Sequence, residues 1–303
     1  MRRVKTGGRR DRRRNSAKGT RGAASAGTRP AGCGRHLRLR RKLSVAIPGV
    51  PAKGPRTAVL LLSGGLDSAT CLALLARWGW IVHAVSFDYG QRHRIELRAA
   101  RRLARRYGTA SHRVLRVPDL GAVGGSALTD SSVAIPKRQL GKSSIPVTYV
   151  PARNTVFLSL ALAVAERTGA TEIVIGANAL DYSGYPDCRP PFLRAFERAA
   201  RLGTKAGVEG RKIAILAPLL TKTKAEIVGL ASALGLDPAL TSSCYDPGPD
   251  GRPCGECDSC LLRERGFRAA GTIDPLTKSG QGTGMGKGSL AEGGCHGSRR
   301  MSE

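Results

Sequence analysis

The stretch VLLLSGGLDSAT, residues 59–70, restricts the fold more than any other part of the chain. Residues 58–62 are a short unbroken apolar run after Pro55, the pattern of a strand buried on both faces of a parallel sheet. From Asp67 onward, Ala69, Cys71, Leu72, Leu74 and Leu75 fall at helical spacing until Gly79 stops the run. Ser63, Gly64 and Gly65 are therefore a strand-to-helix turn. Glycines let backbone approach a ligand closely, and the first helical turn offers unpaired N–H groups at the positive end of the dipole, so the turn is built as an anion cradle. Ser63 and Ser68 add hydroxyl donors, while Asp67 either accepts from a loop amide or holds Mg²⁺. A plain turn with Asp67 or Ser68 as helix cap fits the same residues.

Two phosphate motifs are excluded: the Gly-Lys-Ser/Thr ending of a Walker loop is missing, and so is the third glycine of a dinucleotide fingerprint. SGGLDS instead resembles the PP-loop of ATP pyrophosphatases, which implies transfer of AMP to a substrate oxygen with release of pyrophosphate.

Strands and helices alternate along the rest of the chain. Residues 81–90 read as a strand ending in a polar turn, and 94–108 as a helix whose Ile95, Ala99 and Leu103 face inward and whose arginines form a solvated face. A strand follows at 111–117. Residues 118–147 are rich in Gly, Ser and Pro and read as a mobile excursion able to act as a lid. Helix (154–169), strand (171–178), strand (212–219) and a helix opened by a Thr223/Glu226 capping box complete the pattern. This predicts an α/β fold, a doubly wound, mostly parallel sheet with ligands outside the carboxyl ends of the strands. The polar stretches SGGLDS, FDYGQRH and GANALDYSGYPD all follow strands and should converge on one cleft.

Cys244, Cys254, Cys257 and Cys260 give C-x9-C-x2-C-x2-C among Gly, Pro and Asp residues. Four thiolates close a tetrahedral Zn²⁺ shell, and an iron–sulfur cluster accepts the same number; zinc is the preferred reading, as a structural site with no open position. Cys71 reads as an inert core thiol. Cys188 has no partner base beside it in the sequence and reads as no nucleophile.

The chain of 303 residues carries 50 Lys+Arg against 22 Asp+Glu, a net +28, and residues 1–56 hold +17 of it. This basic leader reads as disordered. A polyanion-binding tail, an organelle transit peptide and a start codon placed too early all fit it, and the last is preferred, with the working protein beginning near Thr57. The expected organisation is leader 1–56, PP-loop and substrate domain 57–240, zinc segment 241–276 and a glycine-rich tail 277–303. No run approaches the length of a membrane span, and a cytoplasmic protein is expected.

Taken in series, SGGLDS, FDYGQRH (87–93), YVPARN (149–154), GANALDYSGYPDCRP (176–190), APLLTKTKAEI and the cysteine segment followed by LLRERGF resemble the 7-cyano-7-deazaguanine synthase family over residues 57 to about 276. The resemblance implies that 7-carboxy-7-deazaguanine, ammonia and ATP become the nitrile, a queuosine precursor, with AMP and pyrophosphate released. It implies ATP, Mg²⁺ and Zn²⁺ as cofactors. It places the triphosphate on Leu62, Ser63, Gly64, Gly65, Leu66, Asp67, Ser68, Ala69, Thr70, Cys71 and Leu72. Asp67, Arg153 and Lys222 or Lys224 are the catalytic candidates. Asp181, Tyr182, Tyr185, Asp187 and Arg189 are the substrate candidates, the carboxylates reading a guanine-like edge and a tyrosine stacking on the base. His93 reads equally as a turn-stabilising residue and as a proton carrier. Free ammonia is expected, since no glutaminase domain is evident, and a homodimer is the expected assembly; neither membrane nor nucleic acid is required. The alternative is a tRNA-modifying PP-loop enzyme such as a thiolase, which would carry an RNA-binding domain and a sulfur-carrying cysteine pair. A non-enzymatic zinc-bearing nucleic-acid binder would leave SGGLDS without a task.

Overall fold

Alternate residues of the first strand enter opposite cores. β1 (Thr57–Leu61) and the residue after it send Ala58, Leu60 and Leu62 into a cluster with Leu72, Leu103, Ile227 and Phe267. Val59 and Leu61 enter a second cluster with Phe157, Leu158, Ile173 and Leu193. The two-residue period of a strand produces this division only where both faces are covered, which is why the run carries no polar residue. Truncation of the fully buried Leu60 to Ala would cost about 2–5 kcal/mol.

The computed structural model describes residues 56–140, 145–179 and 184–278. The chain divides into units Met1–Ser44 and Val45–Glu303, and all described residues belong to the second. The leader up to residue 55, and the tail from residue 279, lie outside them.

After β1 come α1 (Leu66–Trp78), β2 (Ile81–Asp88), α2 (Ile95–Arg106), β3 (Ser111–Arg116), α3 (Pro118–Ala122) and α4 (Arg153–Thr168). Then follow β4 (Glu172–Val174), α5 (Pro190–Gly203), α6 (Lys205–Val208), β5 (Ala214–Leu216), α7 (Lys224–Ala233), α8 (Asp258–Ala269) and α9 (Pro275–Lys278). The strands form one parallel sheet in the order β3-β2-β1-β4-β5, with Leu60 beside Ala84 on one side and Val174 on the other. The winding reverses between β1 and β4, so a crevice opens at the carboxyl ends of these two strands. The α/β, doubly wound expectation holds.

The helix boundaries follow local chemistry. Gly79 ends α1 in the left-handed region at φ 77°, its N–H returning to the Leu75 and Ala76 carbonyls. Thr223 accepts from the Glu226 N–H at 3.3 Å while Glu226 accepts from the Thr223 N–H at 2.8 Å, closing the expected capping box on α7. On α2, Ala99 and Leu103 are fully buried and the arginines point outward. β4 and β5 are three residues each, shorter than the apolar runs that contain them. Past β4 the Ile175 N–H still donates to the Leu216 carbonyl at 2.9 Å, and residues 175–178 line the crevice.

Five helices escape the sequence reading, the short α3, α6 and α9 and the longer α5 and α8. α5 begins with Pro190 and Pro191, which look like a loop but are tolerated in a first helical turn. α8 starts directly after Cys257, inside the cysteine group. The excursion after β3 is pinned in part: Lys137 makes an antiparallel bridge to Cys257, and the Arg138 N–H donates to the Glu256 carbonyl at 2.9 Å. No helix among the described residues is long and apolar enough to cross a membrane.

Candidate active site

The turn after β1 is shaped by a close approach. Gly64 has φ 95°, and a Cβ there would lie 2.2 Å from the Glu96 carbonyl oxygen and 2.9 Å from the Ala100 nitrogen. Only glycine combines that conformation with contact against the first turn of α2. Around it the donors are largely assigned: the Gly65 N–H goes to Ser63 Oγ (3.2 Å), the Gly64 N–H to Ser68 Oγ (3.3 Å) and the Leu66 N–H to Ser243 Oγ (3.4 Å). The N–H groups of Asp67 and Ser68 have no acceptor among the described residues. They are the orphan donors at the start of α1, at the positive end of its dipole. Gly176, following β4, faces this turn closely enough that a Cβ would sit 3.0 Å from the Ser68 nitrogen.

A cavity of about 250 Å³ opens in front of these donors, at the β1/β4 reversal. Ser63, Gly65, Leu66, Asp67 and Ser68 line it, as does Leu62 at the strand end. Ala69, Thr70, Cys71 and Leu72 do not. They are buried along α1, where Thr70 Oγ1 bonds back to the Leu66 carbonyl at 2.8 Å and burial, with the nearby Asp67, pushes the Cys71 thiol up. Of the eleven residues expected in the cradle, Leu62, Ser63, Gly65, Leu66, Asp67 and Ser68 reach the cavity wall, because the helix turns its later residues into the core.

Asp67 and Lys224 face each other across the cavity floor. Lys224 Nζ donates to both Asp67 oxygens, at 2.9 and 2.8 Å, and Asn178 Nδ2 adds a third bond at 2.7 Å. The lysine stem runs past Gly266 of α8, where a Cβ would lie 2.4 Å from Lys224 Cγ. Lys222 does not line the cavity; its carbonyl receives the Ala179 N–H at 3.3 Å. Of the two lysines read as alternatives, Lys224 alone is on the wall.

Arg153 opens α4 after Ala152, a non-glycine residue in the left-handed region at φ 53°. Its guanidinium enters the cavity, where burial disfavours its charge but Tyr89, Tyr185 and Cys188 favour it and raise its pKa. Burial in turn pushes the Tyr89 hydroxyl up to about 12. Behind them Phe87 stacks on Phe157 with centroids 3.9 Å apart, and Tyr89 meets the same ring edge-on at 5.3 Å. FDYGQRH reaches the cleft as expected, but the pairing of its Phe87 and Tyr89 with Phe157 of NTVF carries no mark in the sequence.

The substrate candidates separate. Tyr185 lines the cavity, its hydroxyl 3.1 Å from Thr148 Oγ1. Asp187 is buried and does not line it; its oxygens accept the Asn154 N–H at 2.8 Å and Asn154 Nδ2 at 3.3 Å, so it caps α4. Arg189 is exposed at the start of α5, outside the cavity lining. Asp181 and Tyr182 lie outside the described residues.

The cysteine group meets the cradle from the other side. The four sulfurs lie within 4.8 Å of one another, and Cys244 Sγ is 3.9 Å from Cys257 Sγ. A ZnS₄ tetrahedron with bonds of about 2.3 Å has sulfurs about 3.8 Å apart, so the set is compatible with zinc; it is too close to enclose several iron atoms. Backbone N–H groups of Asp246 and Cys254 point at Cys244 Sγ at 3.3 and 3.2 Å, and that of Cys257 at Cys254 Sγ at 3.3 Å, a donor set suited to thiolates. Cys257 is the thiol whose pKa is lowered, chiefly by hydrogen bonds from Cys244 and Cys260. Lys137 Nζ binds Asp246 at 2.7 Å beside the group, and Asp246 holds the lysine charged. Ser242 and Ser243 precede Cys244 and bind the cradle directly, the Ser242 N–H donating to the Gly64 carbonyl at 2.9 Å. On α8, Arg263 is buried on the same wall, held by Asp274 through Nε at 2.6 Å and by Thr241 at 2.7 Å. Neither serine nor Arg263 was singled out in the sequence.

Residues 57–271 match the family model described as "Queuosine biosynthesis protein QueC". The 7-cyano-7-deazaguanine synthase of Anaeromyxobacter sp. (strain Fw109-5) is 60% identical over 228 residues, 74% of this chain and 97% of the relative. The protein of the same name from Ectopseudomonas mendocina (strain ymp) is 59% identical over 219 residues, 72% of this chain and 96% of the relative. The structure of NMN synthetase from Francisella tularensis matches at 16% identity and a TM-score of 0.39 over 76% of this chain and 82% of that one, too distant to carry an argument. With its cradle, aromatic wall and cysteine group all inside the matched span, the chain belongs to the QueC family of queuosine biosynthesis proteins.

Proposed function

We propose that the cavity converts 7-carboxy-7-deazaguanine, ammonia and ATP to 7-cyano-7-deazaguanine through two adenylylations. A carboxylate is a poor electrophile because its leaving group would be oxide. Attachment of AMP makes that oxygen a good leaving group, and ammonia then gives the amide. The amide oxygen meets the same obstacle and receives AMP in the second round, after which the nitrile forms.

The observation that carries this reading is the pair of free N–H donors of Asp67 and Ser68 opening onto a cavity that also holds Arg153 and Lys224. Fixed donors and cations at the triphosphate stabilise charge that develops on pyrophosphate, with no covalent enzyme intermediate. Ser63 and Ser68 add hydroxyls. Lys224, already oriented by Asp67, and Arg153, oriented by α4 and its Asp187 cap, supply the charge. Mg²⁺ is expected with the phosphates, where it would offset their charge, and Asp67 is the carboxylate that would hold it. Tyr185 and the Tyr89/Phe157 wall are suited to the flat deazapurine, and Asp181 and Tyr182, which follow β4 in sequence, stay in the proposed recognition set. Zn²⁺ on the four cysteines would close the segment that carries Ser242 and Ser243 to the cradle.

Ammonia is taken free, and the protein is taken as cytoplasmic and as a homodimer, for which the exposed apolar side chains of Leu202 and Val208 are the supporting feature. The names borne by the relatives favour this reading over a tRNA thiolase. Incubation of the full chain with ATP, ammonium and 7-carboxy-7-deazaguanine should yield the amide and then the nitrile by mass spectrometry, two AMP per nitrile. AMP formation only with some other acceptor would reassign the substrate, and nitrile only with an added glutaminase subunit would remove free ammonia.

A further inference from the structure

Among the described residues two carboxylates line the cavity, Asp67 and Glu96. Asp67 is committed at the phosphate end, where Lys224 and Asn178 place three hydrogen bonds on its oxygens. Glu96, in the first turn of α2, is not. Its Oε1 accepts from Gln91 Nε2 at 3.1 Å, with His93 Nε2 in contact at 3.4 Å. Its Oε2 has no hydrogen-bond partner among the described residues, and the side chain is 14% exposed, so this oxygen is open to an incoming ligand.

The Glu96 carboxylate is held from behind. Gln91 is buried and bonded to the Phe87 carbonyl and the Tyr89 N–H, both at 2.9 Å. The Glu96 N–H donates to the His93 carbonyl at 3.1 Å, and its own carbonyl rests against Gly64. Phe87 and Tyr89, which anchor Gln91, also form the flat wall with Phe157. Acid group and wall are therefore fixed to one another before any ligand enters.

The other charged side chains on the cavity, Lys224, Arg153 and Arg263, are cations. A ligand with a carboxylate at one end and hydrogen-bond donors at the other matches this distribution. The pyrimidine edge of a deazaguanine carries two adjacent donors, N1–H and the 2-amino group, which a carboxylate meets with one lone pair from each oxygen. Each oxygen accepts twice, so Oε1 keeps a site beside its bond from Gln91 and Oε2 keeps both. Adenine presents a lone pair at N1, which the same carboxylate repels. One group thus separates the base to be modified from the base of ATP.

We propose that Glu96 accepts hydrogen bonds from N1–H and the 2-amino group of 7-carboxy-7-deazaguanine and is the residue that selects this base. This rests on the function proposed above. Gln91 keeps the carboxylate aimed, and the aromatic wall supports the ring it reads.

The test is ATP–pyrophosphate exchange by the full chain and its Glu96→Gln variant, with 7-carboxy-7-deazaguanine and with the analogue that lacks the 2-amino group. The parent should prefer the natural acid by about 10²-fold in kcat/KM, the cost of leaving a built hydrogen-bond site unpaired. In Glu96→Gln, kcat/KM for the acid should fall about 10²-fold, the preference for the 2-amino group should shrink below about threefold, and KM for ATP should stay within about threefold of the parent. A preference that survives in Glu96→Gln, as it would if Asp181 read the edge instead, overturns the proposal. So does a KM for ATP that rises in step with that for the acid, which would place Glu96 at adenine or give it a purely structural role. A parent that binds ATP but shows no exchange with this acid overturns the function itself and the proposal with it. Should Glu96→Gln fail to fold, Glu96→Asp, which keeps the charge and withdraws it by one methylene, should raise KM for the acid about tenfold and leave that for ATP unchanged, and equal rises there also overturn it.

Discussion

Lys224 and Asp67, 157 residues apart in sequence, form a two-point ion pair of 2.9 and 2.8 Å on the floor of the cavity. Both side chains are only 17% exposed, so the pair is shielded from solvent yet open toward the ligand space. It fixes the lysine at the mouth of the phosphate cradle before any nucleotide arrives.

Removal of that charge should be felt at the chemical step. Lys224→Ala is expected to lower kcat for AMP release by about 10²–10³-fold, the scale of losing one preorganised electrostatic group. Lys222→Ala, two residues away and outside the cavity lining, should change it less than about twofold. Steady-state AMP production by the two variants checks the difference, and equal losses would return Lys222 to the site.

Gly64→Ala should damage fold and function together. The new Cβ would meet backbone at 2.2 Å, in a conformation that L residues rarely adopt. Strain of about 1–3 kcal/mol for the backbone alone is the minimum expected loss in urea unfolding, with nucleotide binding weakened because the Asp67 and Ser68 donors move with the loop.

The cysteine group should prove a structural clasp. Cys257→Ser is expected to lose bound zinc in elemental analysis and more than about 4 kcal/mol of stability. Weaker nucleotide binding should accompany the loss, since Ser242 and Ser243 hold the Gly64 carbonyl and the Leu66 N–H beside Cys244. A parent protein free of zinc, or a variant with unchanged zinc, would remove Cys257 from the ligand set.

His112 should contribute a pH dependence of stability on the acid side. Ser86 Oγ donates to the Leu62 carbonyl at 2.5 Å, so the imidazole donates to Ser86 Oγ at 2.8 Å. Burial, followed by Arg101, holds its pKa below the usual value. The unfolded chain therefore takes up the proton first; this contribution is complete above a pH of about 6.5 and is lost as pH falls from there toward the lower folded-state value. His112→Gln should flatten the stability slope just below pH 6.5 by less than about one proton per unfolding event, read from urea midpoints at stepped pH. A slope identical to the parent would assign the acid response elsewhere, with His83, lowered chiefly by burial, the next group to replace.

What was legible in the chain was local. A strand buried on both faces needs an unbroken apolar run, a capping box needs Thr and Glu three apart, and a backbone pressed against ligand or helix needs glycine. Residues 58–62, Thr223 with Glu226, and Gly64 carry those signatures in the sequence, so the alternating α/β order and the cradle could be read before any coordinates. The spacing of four cysteines pointed, by the same kind of rule, to a cluster able to hold a metal.

Roles that depend on which side chain reaches which carried no such mark. Asp187 and Tyr185 stand in one short motif, yet the first is buried under Asn154 and the second faces the cavity. Lys222 and Lys224 differ only in which way the start of α7 turns them. Ser243, His93 and Arg263 acquire their positions from contacts made across β1, α2 and α8. Sequence alone determined the βα scaffold and its phosphate turn, because those follow from periodicity and backbone conformation; the assignment of polar side chains to core, clasp or cavity was decided by tertiary structure, because it depends on distances between segments far apart in the chain.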